Sequence, residues 1–175
     1  MDGRAQHDWV LRAVDKRLRE ELAKLQVEVN EEKTRTVDLK KGERFGFLGF
    51  DVRRVRSLNG RWRAHGTPKL KKRTALLRTL KEEFRRARSQ PVQEVIQRIN
   101  PILRGWVNYF AVGNSTRCFS YIEAWVEKKV HRHLMRNAKR HGFGWRRWRR
   151  EWMYRTFGLF ADYRVRPFSP AVAGR

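Results

Sequence analysis

The sequence predicts an α+β chain that is mainly α: a short β-rich stretch leading into a helical bundle. Three observations carry this. An apolar stripe with helical spacing opens the chain, residues 26 to 65 switch to short alternating runs broken by turn signals, and helical stripes recur from Thr67 onward. The boundary is expected near residue 65, giving segments 1–65 and 66–175.

In "DWVLRAVDKRLREELAKL", Val10, Val14, Leu18, Leu22 and Leu25 fall on one helical face and charges fill the other. Such a helix is expected to lie on a sheet. Next, Val27 and Val29 alternate with acidic residues, and Thr34, Thr36 and Val37 are β-branched. Phe45, Phe47, Phe50 and Val52 mark a further strand, where Gly46 and Gly49 point to a bulge or a close backbone approach. Asn59-Gly60 signals a hairpin. So small a sheet does not stand alone.

Thr67-Pro68 reads as a helix N-cap with proline at the first helical position, and Leu70, Leu77, Leu80 and Phe84 form the inward side. A second helix starts near Pro91, with Val92, Val95, Ile96 and Ile99 inward. Pro101 disfavours helical geometry at Asn100, so a break or kink is expected there, with Asn100 capping the next helix. On that helix Ile102, Leu103, Trp106, Val107 and Phe110 make a buried stripe, while Arg104 and Asn108 share the opposite side beside Gly105. That side is either a plain solvated face or a place where another backbone comes close. Residues 115 to 136 read as a helix capped by Ser115, with Phe119, Ile122, Val126 and Val130 inward. Trp145, Trp148 and Trp152 recur at helical spacing, a pattern of core more often than of base stacking, amid Arg146, Arg147, Arg149 and Arg150. The tail is read as an ordered stop followed by fraying.

Charge narrows the partner. There are 42 Lys and Arg against 18 Asp and Glu, a formal net of +24. Such an excess attracts polyanions at long range, and nucleic acid leads. An anionic membrane comes second, but the chain has no apolar run long enough to span one. The single cysteine, Cys118, excludes an intrachain disulfide and a thiolate-rich zinc site, and fits a reducing, intracellular setting. His131 and His133, two apart on a helix, point to different sides, so no metal site is expected. Glu31-Glu32 and Glu82-Glu83 are adjacent pairs whose side chains diverge, not convergent acids for two-metal chemistry. No P-loop, dinucleotide turn or Ser, His and acid grouping is present. These residues offer binding surfaces rather than a reaction centre, and no cofactor is expected.

Several blocks stand in a telling order: "LAKLQVEVNEEKTRTVDL", "FGFLGFDVRR", "TPKLKKR" and "INPILRGWVNYF", closed by "FGWRRWRREWMYRTFGLFADYRVR". In this order they resemble the C-terminal part of group II intron reverse transcriptase/maturases, over nearly the whole chain. The resemblance implies that residues 1–65 are the C-terminal remnant of a palm, and 66–175 a helical thumb and maturase-specific domain that binds intron RNA and helps it fold for splicing. It implies that Lys33 lies near the incoming nucleotide and that Phe47, Leu48, Gly49 and Phe50 help form a primer grip. Arg104, Gly105, Trp106, Asn108 and Tyr109 match the signature stretch of the maturase domain. The residues expected on RNA are Lys69, Lys71, Lys72, Arg73, Arg104, Gly105, Asn108, Arg146, Arg147, Arg149 and Arg150.

By the same resemblance, the fingers and the Tyr-Ala-Asp-Asp turn would precede Met1, so polymerisation by this chain alone is not expected. Mg2+ would belong to the full-length enzyme only, and the zinc-bearing endonuclease domain of some relatives is missing too. The chain is read as a fragment, a truncated product or half of a split enzyme. The implied partners are group II intron RNA, primer–template in the full enzyme and a fingers-palm polypeptide in trans, with no membrane and a bacterial-type cytoplasmic location. Two alternatives stay open: the C-terminal half of a split RNA-directed DNA polymerase, and a decayed retroelement product with generic nucleic-acid affinity.

Overall fold

The structure is a computed structural model that describes residues 5–32, 34, 37–141 and 144–166, with side chains from residue 9 onward. The chain divides into two compact units, Met1–Asp38 and Leu39–Arg175.

The first unit is built on α1 (Ala5–Lys24), the helix its periodicity predicts. Exposed pairs such as Arg19 to Asp15 (2.8 Å) and Arg17 to Glu21 (2.9 Å) line its polar side. Val10, Val14 and Leu18 stay exposed, and no strand forms among the described residues of this unit, so within it the expected packing on a sheet is absent. The helix ends at Gln26, which is left-handed at φ 55°. The Val27 N–H then donates to Leu22 O and the Gln26 N–H to Ala23 O, both at 3.0 Å. Val27 is thus drawn into closing the helix, which is why the strand expected at Val27 and Val29 does not form. Thr36 lies outside the described residues.

The second unit opens with an antiparallel sheet of β1 (Arg44–Phe47), β2 (Phe50–Arg56) and β3 (Trp62–Pro68), in that spatial order. The one strand expected through Phe45 to Val52 is instead a hairpin, folded at Leu48 and Gly49 with φ of 43° and 82°. Two positive values in a row give the turn whose twist matches paired strands. Gly49 suits that geometry; a leucine does not. Tertiary bonds hold it: the Tyr109 hydroxyl donates to Leu48 O (2.8 Å) and the Lys69 N–H to Gly49 O (2.9 Å). The second hairpin turns at Asn59–Gly60 as expected.

Thr67 and Pro68 do not start the next helix. They end β3 opposite Asp51 and Phe50, an edge strand where proline's missing N–H costs no ladder bond. Helix α2 (Leu70–Arg86) begins after Lys69 without a side-chain cap, and turns Leu76, Leu80 and Phe84 inward while Leu70 is exposed. Helix α3 (Val92–Phe110) runs unbroken through Pro101, so of the expected break or kink the break does not occur. Interior proline costs a helix about 3 kcal/mol. The fully buried Ile99 and Leu103 on either side anchor the helix in the core at this point, offsetting that cost. Asn100 therefore caps nothing. Its amide donates to Gly158 O (2.8 Å) and its carbonyl accepts from the Phe160 N–H (2.9 Å), tying the C-terminal segment across α3.

Helix α4 (Thr116–Asn137) buries Phe119, Ile122, Val126 and Val130 as predicted. Ser115 occupies the cap position, but its hydroxyl donates to Phe110 O at 2.7 Å instead. The last helix, α5 (Arg150–Phe157), is short, so the three tryptophans do not share one helix. Trp145 and Trp148 precede it in turns, Trp148 half-buried on the core, and Trp152 sits exposed on α5. Met153 is the α5 residue that enters the core.

The sheet docks firmly on these helices. Phe50 meets Phe110 edge-on at 4.9 Å, and the Asn114 N–H donates to Gly66 O at 2.7 Å. A Cβ on Gly113 would stand 2.9 Å from Gly66 O, so this approach requires glycine. The compact unit consequently starts at Leu39, with sheet and helices sharing one core. No helix among the described residues is long and apolar enough to cross a membrane.

Candidate nucleic-acid interface

Helices α2 and α4 run side by side in the same direction. Near their starts the Arg73 guanidinium lies over the Tyr121 ring, 4.3 Å from its centroid; near their ends Phe84 faces His133 at 6.3 Å. Strand periodicity puts Asp51, Arg53 and Val55 on one face of β2, beside His65 and Thr67 of β3. That face and the two helix starts enclose an open groove of about 690 Å³ in which Arg53, Arg73 and Arg117 converge, with Asp51 as the only lining carboxylate. Burial, then the Arg53 and Arg117 charges, push His65 below the usual imidazole range. Burial also pushes the Cys118 thiol up, against the nearby Arg73 charge. The groove thus gathers three cations around a partly buried imidazole, an arrangement that favours anions.

Other predicted residues gather beside the β1–β2 turn. Lys69 crosses Gly46, where a Cβ would collide with its ammonium, and the Lys72 stem passes 3.6 Å from the equivalent point on Gly49. Phe47 and Leu48 are exposed there, while Phe50 turns in onto the core. Lys71 is exposed on the first turn of α2, and Lys33 lies outside the described residues.

On α3, Arg104, Gly105 and Asn108 are all exposed, opposite the buried Leu103, Val107 and Phe110. A Cβ on Gly105 would meet nothing within 4 Å. Glycine inside an exposed helix costs about 1 kcal/mol against alanine, and no neighbour within the described chain requires it. Gly105→Ala is therefore expected to stabilise the second unit by about 1 kcal/mol in urea melts, while weakening RNA binding if a ligand backbone uses the gap.

Near α5 the four arginines differ. Arg146 and Arg149 are exposed, and Arg147 lies 5.6 Å from the Trp148 ring centroid. Arg150 is held by Glu123 and, through Nε at 2.8 Å, by Glu127. Glu127 is buried and also accepts from the Tyr154 hydroxyl at 2.8 Å, so this arginine ties α5 to α4. Burial and then Glu127 push the Tyr154 phenol well above its usual value.

Arg53, Arg117 and His65 were not singled out from sequence, though "DVRRV" carries the alternation that could have found Arg53. Among the described residues no three His, Cys, Asp or Glu side chains converge to hold a metal ion.

The geometry defines a cationic helical domain with a small sheet docked across its helix starts. The profile of the group II intron, maturase-specific domain matches residues 73–152. That stretch takes in α3, α4 and the arginines before α5, together with Arg73, Arg104, Gly105 and Asn108. Over residues 73–152 the helical part of this chain is thus similar to the maturase-specific domain of group II introns. No curated protein matches the chain.

Proposed function

We propose that the chain binds structured group II intron RNA and assists its folding for splicing. The observation that carries this reading is the groove where Arg53, Arg73 and Arg117 meet against a single carboxylate, on a chain similar to the maturase-specific domain. Guanidinium groups fork onto phosphate oxygens with two parallel bonds, a geometry a lysine cannot match. A-form RNA presents phosphates and 2′-hydroxyls more readily than base edges, so arginines placed on packed helices and a strand suit it. The pinned turn at Leu48–Gly49, flanked by Lys69 and Lys72, supports a related reading: in a longer enzyme this edge holds primer–template.

The double variant Arg53→Ala, Arg117→Ala tests the proposal. Both side chains are exposed, so melting should stay within about 0.5 kcal/mol of wild type. Affinity for intron RNA should fall about tenfold or more, and the slope of log K against log salt should become shallower by about two. Undiminished affinity would remove the groove from the interface.

A further inference from the structure

The C-terminal half of the α2–α4 pair holds a second cluster that the arginine groove does not account for. Lys81, Arg85 and Arg88 face Lys129, Arg132 and Arg136 across a narrow groove of about 290 Å³ whose lining contains no carboxylate. Arg85 is bonded at the rim to Glu82. The floor is Phe84 and His133, both buried. Nearby, Lys129 rides over the half-buried Trp125 ring, 5.0 Å from its centroid. The lining thus offers no exposed ring on which a base could stack, and the neighbouring indole already carries a cation.

Burial lowers the proton affinity of Lys129, and the charges of Arg132, Lys81, Arg136 and Lys128 lower it further. These cations are crowded together, and a polyanion would relieve that crowding. Twelve residues of α2 separate Arg73 from Arg85, about 18 Å at 1.5 Å per residue. That spacing exceeds the screening length of about 8 Å at physiological salt, so the two clusters act as separate charges.

We propose that this groove is a second phosphodiester-binding site, where Lys81, Arg88, Lys129, Arg132 and Arg136 clasp RNA backbone phosphates without reading bases. It rests on the RNA-binding reading above and adds a second anchor about 18 Å along α2 from the first. Two anchors on one rigid pair of helices would favour an RNA whose phosphates match their spacing.

The test uses the whole chain and a 20-base-pair RNA duplex of random sequence. Lys81→Gln, Lys129→Gln and Arg136→Gln are combined, beside a control that removes equal charge elsewhere through Arg17→Gln, Lys24→Gln and Arg164→Gln. The salt slope should become shallower by about three in the first variant and stay at the wild-type value in the control. Amine acetylation of the unaltered protein supplies a second reading that does not depend on the variant folding. Lys81 and Lys129 should be protected by the duplex, and Lys24 should not. An unchanged slope in a folded triple variant, or equal acetylation of Lys81 and Lys129 with and without duplex, overturns the site while leaving RNA binding intact. A wild-type chain that fails to bind the duplex overturns this site, and the RNA-binding reading falls with it only if intron RNA is not bound either.

Discussion

Raising monovalent salt from 50 to 200 mM is expected to weaken RNA binding by about a thousandfold. The estimate assumes about six neutralised phosphates, each contributing roughly −0.9 to the slope of log K against log salt. Six is a modest demand. The arginine groove supplies Arg53, Arg73 and Arg117, and the second groove adds up to five further cations. Few carboxylates stand near either cluster to compete with RNA, so released counterions should dominate the binding free energy. Fluorescence anisotropy of labelled RNA across four salt concentrations measures this directly. A slope flatter than about −2 would mean that stacking or neutral hydrogen bonds do most of the binding.

Phe119→Ala is expected to lower the stability of the second unit by about 4 kcal/mol, within the range for truncating a buried aromatic. Phe119 is 1% exposed and meets Trp106 edge-on at 6.1 Å. Trp106 in turn packs 4.3 Å from Phe110, the ring against which Phe50 docks the sheet. The ring is thus the first link between α4 and the sheet that frames the arginine groove. A domain of ordinary stability, about 5–15 kcal/mol, would lose a large share of it. Urea melts followed by circular dichroism check the value, and a loss below about 1 kcal/mol would mean the cavity collapses at little cost. RNA affinity should fall together with folding here, whereas Arg53→Ala with Arg117→Ala should lower affinity with melting unchanged.

What the sequence made legible follows from which forces are local. The inward faces of α3 and α4 were readable because their apolar spacing survives into the packed core, from Val92 to Phe110 and from Phe119 to Val130. The Asn59–Gly60 hairpin was readable because its turn chemistry lies in two adjacent residues. Errors fell where a distant residue decides the outcome. The fold at Leu48 depends on a hydroxyl 61 positions away on Tyr109, and the role of Asn100 on backbone 58 and 60 positions away. Pro101 looked like a break because the local penalty is visible in sequence and the flanking burial is not. The tryptophan series misled similarly, since Trp145 and Trp148 are placed by turns ahead of α5. Among the interface residues, Arg73 and the Arg104 face stood out as charge within helical patterns. Arg53 and Arg117 meet only because β2 and the starts of α2 and α4 come together, and Lys129 and Arg136 meet the α2 cations only across the α2–α4 pair.

The most direct test of the account is equilibrium competition, at about 150 mM salt, between a transcribed group II intron RNA and a random-sequence RNA duplex of equal phosphate content. Counterion release alone cannot separate the two, so a preference can arise only from the fixed arrangement of cations on the helices and sheet. The account predicts that the intron RNA is retained against roughly a tenfold or greater excess of duplex. Displacement by an equal amount of duplex would contradict it, leaving only a strongly basic protein that holds any polyanion.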